Sequence, residues 1–156
     1  MKKNDWFNHI VLSFFLLIPT AVMADVVVSN TLENFIANYS YETRNDMKID
    51  SKSLIQKIKE GKAQLIDIRF KEEYATWHVN PSISIPLNEL PARLNEIDRS
   101  KIIVTACPHK DRATIAMVYL RSHGINAKYL TDGLTGMVEN LRGDNAKAFV
   151  EASLNK

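Results

Sequence analysis

From residue 47 onward the chain alternates between two hydrophobic rhythms. Leu54, Ile55 and Ile58 recur at helical spacing behind Asp50 and Ser51, either of which can cap a helix. Gly61 is a natural stop, so a helix is predicted to about Glu60. Leu65-Ile66-Asp67-Ile68 is a short apolar run of the kind that forms a parallel strand buried on both faces. Lys71 to Trp77 predicts a short helix, and Ile83 to Ile85 a short strand closed by Pro86. Pro91 to Ile97 predicts another helix, with proline early and Leu94 and Ile97 facing inward. Ile102 to Thr105 is β-branched throughout and predicts a strand. Ala113 to Ser122 follows as a helix that is apolar on nearly every side, hence largely buried, and Gly124 ends it. A strand over Ala127 to Leu130, a turn at Asp132-Gly133, and helices over Leu134 to Leu141 and Ala146 to Leu154 complete the pattern. Strands separated by helices imply an α/β fold, a central parallel sheet with helices on both faces.

The first residues follow a different rule. Lys2 and Lys3 open the chain, Ile10 to Ala24 carries no charge, Pro19 breaks the run, and Val22-Met23-Ala24 supplies a cleavage site. That order is the one a secretory signal peptide has. The uncharged run is short of the ~20 residues that span a bilayer, so residues 1–24 are expected to be removed and the protein exported, to the periplasm. Membrane contact is expected only through that segment before cleavage. After an initial Val26-Val27-Val28, residues 25–46 are polar and irregular, and are expected to be a linker or an N-terminal extension packed on a domain spanning 47–156.

Composition narrows the function classes. With 156 residues, 46% hydrophobic and 24% charged, the chain suits one domain with a real core. The formal net charge is +2, with bases and acids interleaved, so no basic block exists to neutralise phosphates and no nucleic-acid partner is expected. One cysteine means no internal disulfide. A lone thiol in an oxidising compartment is either a buried, inert small hydrophobe or a reactive group. None of the four histidines has ligand spacing with Cys107, so no metal is expected, and no cofactor.

Cys107 is where the chemistry concentrates. It ends a predicted strand, Arg112 follows five residues later, and a helix begins at Ala113. In open α/β sheets ligands bind outside the carboxyl ends of the strands. The N–H groups of a tight loop and a helix N-terminus make an anion site there. The helix dipole, Lys110 and Arg112 are expected to lower the pKa of the thiol. A thiolate in an anion cradle suits sulfur transfer or phosphoryl-type chemistry.

Over Met47 to about Met137 the chain resembles the rhodanese family, through several patches in order. Leu65-Ile66-Asp67-Ile68-Arg69 resembles the family's D-x-R strand. Glu73-Tyr74 with Trp77-His78-Val79 resembles E-[YF]-x-x-G-H-I, and Ile83-Ser84-Ile85-Pro86 resembles A-x-x-I-P. Cys107 to Arg112 matches the C-x-x-x-x-R active loop, and Leu130 to Leu134 resembles the L-x-G-G turn. Related phosphatases and arsenate reductases carry one more residue in the loop, so this spacing favours a single sulfane sulfur over a tetrahedral oxyanion. The resemblance implies a rhodanese-like fold and a sulfurtransferase. Cys107 would take sulfur from a small sulfur-containing anion such as thiosulfate, or from a persulfide. It would pass that sulfur as a persulfide to a thiol or protein acceptor, or to cyanide. Pro108, His109, Lys110, Asp111, Arg112 and Ala113 would bind substrate, with Asp67 and Arg69 a supporting ion pair beneath the loop. The alternatives are a non-catalytic binding or sulfur-carrier module and, more remotely, a phosphatase or arsenate reductase.

The chain also departs from the family pattern. Pro108 lacks the N–H that an Arg often supplies at its position. Lys110 stands where Gly is usual, a restraint on the backbone if φ > 0 is needed. Asp111 puts a negative charge beside the anion site. Trp77 and Asp132 replace glycines, and Met137 stands where Trp is common. Thiosulfate is therefore expected to be a modest substrate. His78 is expected to be structural, whereas His109 can tune the thiolate or face outward.

Overall fold

A computed structural model of the chain describes residues 31–154. Residues 1–24, where a signal peptide is expected, lie outside the described residues. Two short helices lead in, α1 (residues 31–37) and α2 (Tyr41–Asp46). The α/β alternation follows as β1 (Lys48–Ile49), α3 (Ser51–Lys59), β2 (Ala63–Asp67), α4 (Lys71–Thr76) and β3 (Ile83–Ser84). After two 3₁₀ turns (Leu90–Ala92 and Leu94–Glu96) come β4 (Ile102–Ala106), α5 (Asp111–Ser122), β5 (Ala127–Leu130), α6 (Gly133–Asn140) and α7 (Asp144–Leu154).

The strands form one parallel sheet in the order β1-β5-β4-β2-β3. Side chains on a strand alternate between faces, and here both faces are apolar. Ile66, Ile68 and Ile103 pack with Ala113, Ala116, Met117 and Leu120 of α5 and with Leu90 and Ile97. Leu65, Val104 and Leu130 pack with Leu54 and Ile58 of α3, Leu134 and Met137 of α6, and Phe149 of α7. That two-sided burial explains why the strands read as continuous hydrophobic runs.

Local chemistry sets the helix ends. Asp50 caps α3 by accepting the Ser53 N–H at 2.9 Å, and Gly61 leaves the helix with φ +74°. Four expectations are corrected. Residues 31–37 and Tyr41–Asp46 are helical, whereas an irregular extension was expected. Polar α2 buries nothing, so no hydrophobic rhythm announces it. It is held by Ser40 at its N-cap and by Asp46, whose carboxylate meets Arg121 at 2.5 Å and Lys128 at 2.6 Å. Pro91 to Ile97 forms 3₁₀ turns, not an α-helix. The helix over Ala113 to Ser122 begins two residues earlier, at Asp111, and is less buried than expected, with Ile115 59% exposed. Strand β1 is too short for any sequence rhythm to mark it.

Beneath the carboxyl end of the sheet lies a buried ion pair. Asp67, the last residue of β2, is in register with Ala106, the last of β4. Its carboxylate accepts from Nε of Arg69 at 2.9 Å and from Nη2 at 2.6 Å, and both side chains are excluded from water. Arg69 also donates to the Trp77 carbonyl at 2.7 Å, and its guanidinium lies 4.2 Å from the Trp77 ring centroid. Trp77 in the place of glycine therefore caps the arginine. Removing one partner of such a pair leaves an uncompensated buried charge. Arg69→Met is thus expected to cost roughly 3–5 kcal/mol in urea unfolding, with Asp67→Asn/Arg69→Met recovering part of it. A single-variant loss within about 1 kcal/mol would mean that the pair is as dispensable as a surface one.

Candidate functional site

Strand β4 ends at Ala106 and delivers Cys107 to the mouth of the sheet. The loop Cys107–Lys110 then turns into α5, with Lys110 at its N-cap. It is clamped from behind by the turn after β5. The Leu134 N–H donates to the Cys107 carbonyl at 2.9 Å. Thr135 donates to the Pro108 carbonyl from its N–H at 3.3 Å and from its hydroxyl at 2.8 Å. Gly133 makes this approach possible. A Cβ there would lie 2.3 Å from the carbonyl oxygens of both Pro108 and His109, and its φ is +66°. Asp132, in place of the family's first glycine, accepts the Ser51 N–H at 3.1 Å and ties α3 to the turn. Met137 is fully buried.

Cys107 itself is fully buried, while His109, Lys110 and Asp111 are exposed. The N–H groups of His109 and Ala113 are directed at Sγ and favour thiolate. Opposing them, Sγ lies 3.5 Å from Oδ1 of Asp111. The backbone N–H groups of Arg112 and of Asp111 itself hold that carboxyl below its usual range. Arg112 forms a two-point pair with Glu73 of α4, at 2.6 Å and 2.9 Å. Glu73 is held in turn by the Phe70 N–H at 3.3 Å.

This geometry overturns the expected lowering of the thiol pKa. Burial pushes the Cys107 thiol up, the Asp111 carboxylate adds to the rise, and the two loop N–H groups only partly offset them. The reason is the fate of the charges. Arg112 is matched by Glu73, whose carboxyl the guanidinium holds below its usual range, and Lys110 is out in solvent. The concern about Lys110 in a glycine position also falls away. Its φ is −150°, and no non-glycine residue has positive φ among the described residues.

Of the residues expected at the site, Cys107, His109, Asp111, Arg112 and Ala113 converge through backbone or side chain, and Pro108 offers its carbonyl to α6. The Lys110 side chain is exposed, although its carbonyl accepts from Thr114 at the start of α5. The His109 ring is exposed as well. His78 stacks on Tyr74 at 4.1 Å, and Tyr74 donates to the Ser82 carbonyl, a brace for the strand-edge segment. Sequence reasoning missed Glu73 as a site residue, along with the turn residues Gly133, Leu134 and Thr135. An arginine ending an anion loop signals a carboxylate somewhere, but only the fold says that it comes from α4. A groove of about 390 Å³ bordered by Phe35, Asp46 and Arg121 lies toward the opposite end of the sheet, and Asp46 is already engaged there by two cations. Among the described residues no cluster of side chains is arranged to hold a metal.

With the loop and its clamps in view, the decisive comparison is with the family model for the rhodanese-like domain, which matches residues 50–140. The chain belongs to the rhodanese-like domain family. A sulfurtransferase of Allochromatium vinosum is 31% identical over 97 residues, a match covering 62% of this chain and 81% of that protein. The crystal structure of a rhodanese-like domain protein from Staphylococcus aureus is 27% identical. It superposes with a TM-score of 0.54, over 58% of this chain and 89% of that one. A human single-domain sulfurtransferase, 22% identical, shares the fold with a TM-score of 0.54 over 60% of this chain and 96% of its own. This chain's parallel five-stranded sheet flanked by helices is thus the rhodanese-like fold of the two solved structures.

The electrostatic account is open to a direct check, because the single cysteine makes alkylation unambiguous. The rate of Cys107 modification by iodoacetamide should rise only at pH above the ordinary thiol range. Glu73→Gln, which leaves Arg112 unmatched, should move that profile to lower pH. A wild-type profile below that of free cysteine would contradict the roles given to burial and Asp111.

Proposed function

We propose that the chain is an exported sulfurtransferase that carries a sulfane sulfur on Cys107 between a small donor and a thiol acceptor. The observation that carries the reading is the six-residue loop from Cys107 to Arg112. It places Sγ at the end of β4 with the N–H groups of His109 and Ala113 aimed at it. Membership of the rhodanese-like family and the likeness to a bacterial sulfurtransferase support it.

In the first half-reaction the Cys107 sulfur attacks the outer sulfur of the donor. With thiosulfate, a bond forms between Sγ and that sulfur, and the S–S bond to the sulfonate breaks. Its electron pair leaves on sulfite, which takes up the Cys107 proton as hydrogen sulfite, and Cys107 is left as the persulfide anion. In the second half-reaction a thiolate acceptor attacks the outer persulfide sulfur, and the electron pair of the broken bond returns to Sγ. The loop amides stabilise the negative charge in both directions, as donors of an oxyanion hole do for oxygen. No second cysteine in the chain can discharge the persulfide internally.

The buried thiol facing Asp111 favours one other reading, a rhodanese-like binding or sulfur-carrier module that turns over only with a partner protein. A thiocyanate assay separates the two. Wild-type protein should convert cyanide to thiocyanate over many turnovers with at least one sulfane donor, thiosulfate or glutathione persulfide. Cys107→Ser should fall to background while keeping its circular dichroism spectrum. A folded wild type that gives no more thiocyanate than Cys107→Ser with either donor would set the enzyme reading aside in favour of the module.

A further inference from the structure

The position of the Asp111 carboxylate bears on which donor the loop admits. A bound anion would use the free N–H groups of the first turn of α5, where the positive end of the helix dipole lies. Asp111 already holds part of that position. Oδ1 of its carboxylate is 3.5 Å from Sγ, and the neighbouring backbone N–H groups of Arg112 and of Asp111 itself hold that carboxyl below its usual range. We propose that Asp111 is a specificity-determining residue: its carboxylate fills the anion position of the loop, disfavouring small dianionic donors such as thiosulfate and leaving Cys107 to sulfane sulfur borne on an organic thiol.

The surrounding charges do not cancel this effect. Arg112 is committed to Glu73 from α4, and the Asp67–Arg69 pair at the end of β2 is internally matched. Asp132, in the turn after β5, contributes another carboxylate, bonded to the Ser51 N–H. The side chains of His109 and Lys110 are exposed, so Lys110 is the one nearby cation of the loop left to water screening. A dianion must therefore enter past a carboxylate with no unmatched buried cation to receive it, which is discrimination by repulsion. An organic persulfide, R–S–SH, brings at most one negative charge at its sulfur end. Attack by the Cys107 sulfur on its outer sulfur forms the Sγ–S bond. The original S–S bond breaks with its electron pair on the departing sulfur, which takes the Cys107 proton and leaves as R–SH. The product on the protein is Cys107–S–SH.

The inference rests on the sulfur-transfer reading for its chemistry, but its test does not depend on turnover alone. Asp111→Asn keeps the shape and removes the charge; Asp111→Ala removes both, and the exposed position should let each fold, checked by circular dichroism. Two quantities are measured: the ratio of kcat/KM for thiosulfate to that for glutathione persulfide, and the Kd of thiosulfate by calorimetry in a Cys107→Ser background with and without Asp111→Asn. Both variants should raise the ratio, and Asp111→Asn should tighten the Kd, each by about tenfold or more. A ratio and a Kd both within about twofold of the parent protein would overturn the role of Asp111, even if the wild type is sulfurated normally. If neither donor sulfurates any form but the Kd tightens, Asp111 stands as the gate and the sulfur-transfer reading fails.

Discussion

The hydrogen bonds from Leu134 and Thr135 to the carbonyls of Cys107 and Pro108 orient everything else at the site. A trans peptide unit points its C=O and N–H in opposite directions. Fixing the Pro108 carbonyl against α6 therefore turns the His109 N–H the other way, toward Sγ. The same logic gives Pro108 a cost. The peptide unit whose carbonyl meets Leu134 has no N–H to offer the cradle. All of this depends on Gly133, since a side chain there would collide with the carbonyls of Pro108 and His109.

Around that loop the protein arranges charge so that most of it is matched in place. Arg69 is satisfied by Asp67 and stacked by Trp77, and Arg112 is satisfied by Glu73. The elements that follow the ends of β2 and β4 are thereby locked to one another, and the hydrogen bonds from Leu134 and Thr135 add the turn after β5. A strongly electropositive cradle does not result. The thiol sits in water-excluded surroundings with the Asp111 carboxylate 3.5 Å from its sulfur, and the N–H groups of His109 and Ala113 supply the stabilisation of negative sulfur.

Much of this was legible in the chain. The strands around Leu65 and Val104 announce themselves because each is buried on both faces, and Asp50 and Gly61 mark the ends of α3 by their backbone chemistry. The loop from Cys107 to Arg112 was legible by spacing alone. What stayed hidden depends on partners distant in sequence. Glu73 reaches Arg112 across the site, Ser51 just beyond the end of β1 meets Asp132 just beyond the end of neighbouring β5, and α2 is a polar helix held in place by Asp46. The thiol's electrostatics were misjudged for the same reason: proximity along the chain brought Arg112 near Cys107, and the fold gave its charge to Glu73.

The central claim is that Cys107 accepts a sulfur atom covalently, and intact-protein mass spectrometry tests it most directly. After incubation with glutathione persulfide, the chain should be heavier by one sulfur atom, located on the Cys107 peptide and removed by cyanide. A wild-type chain that stays at its unmodified mass with that donor, with polysulfide and with thiosulfate, while its thiol remains free to alkylate, would contradict the account.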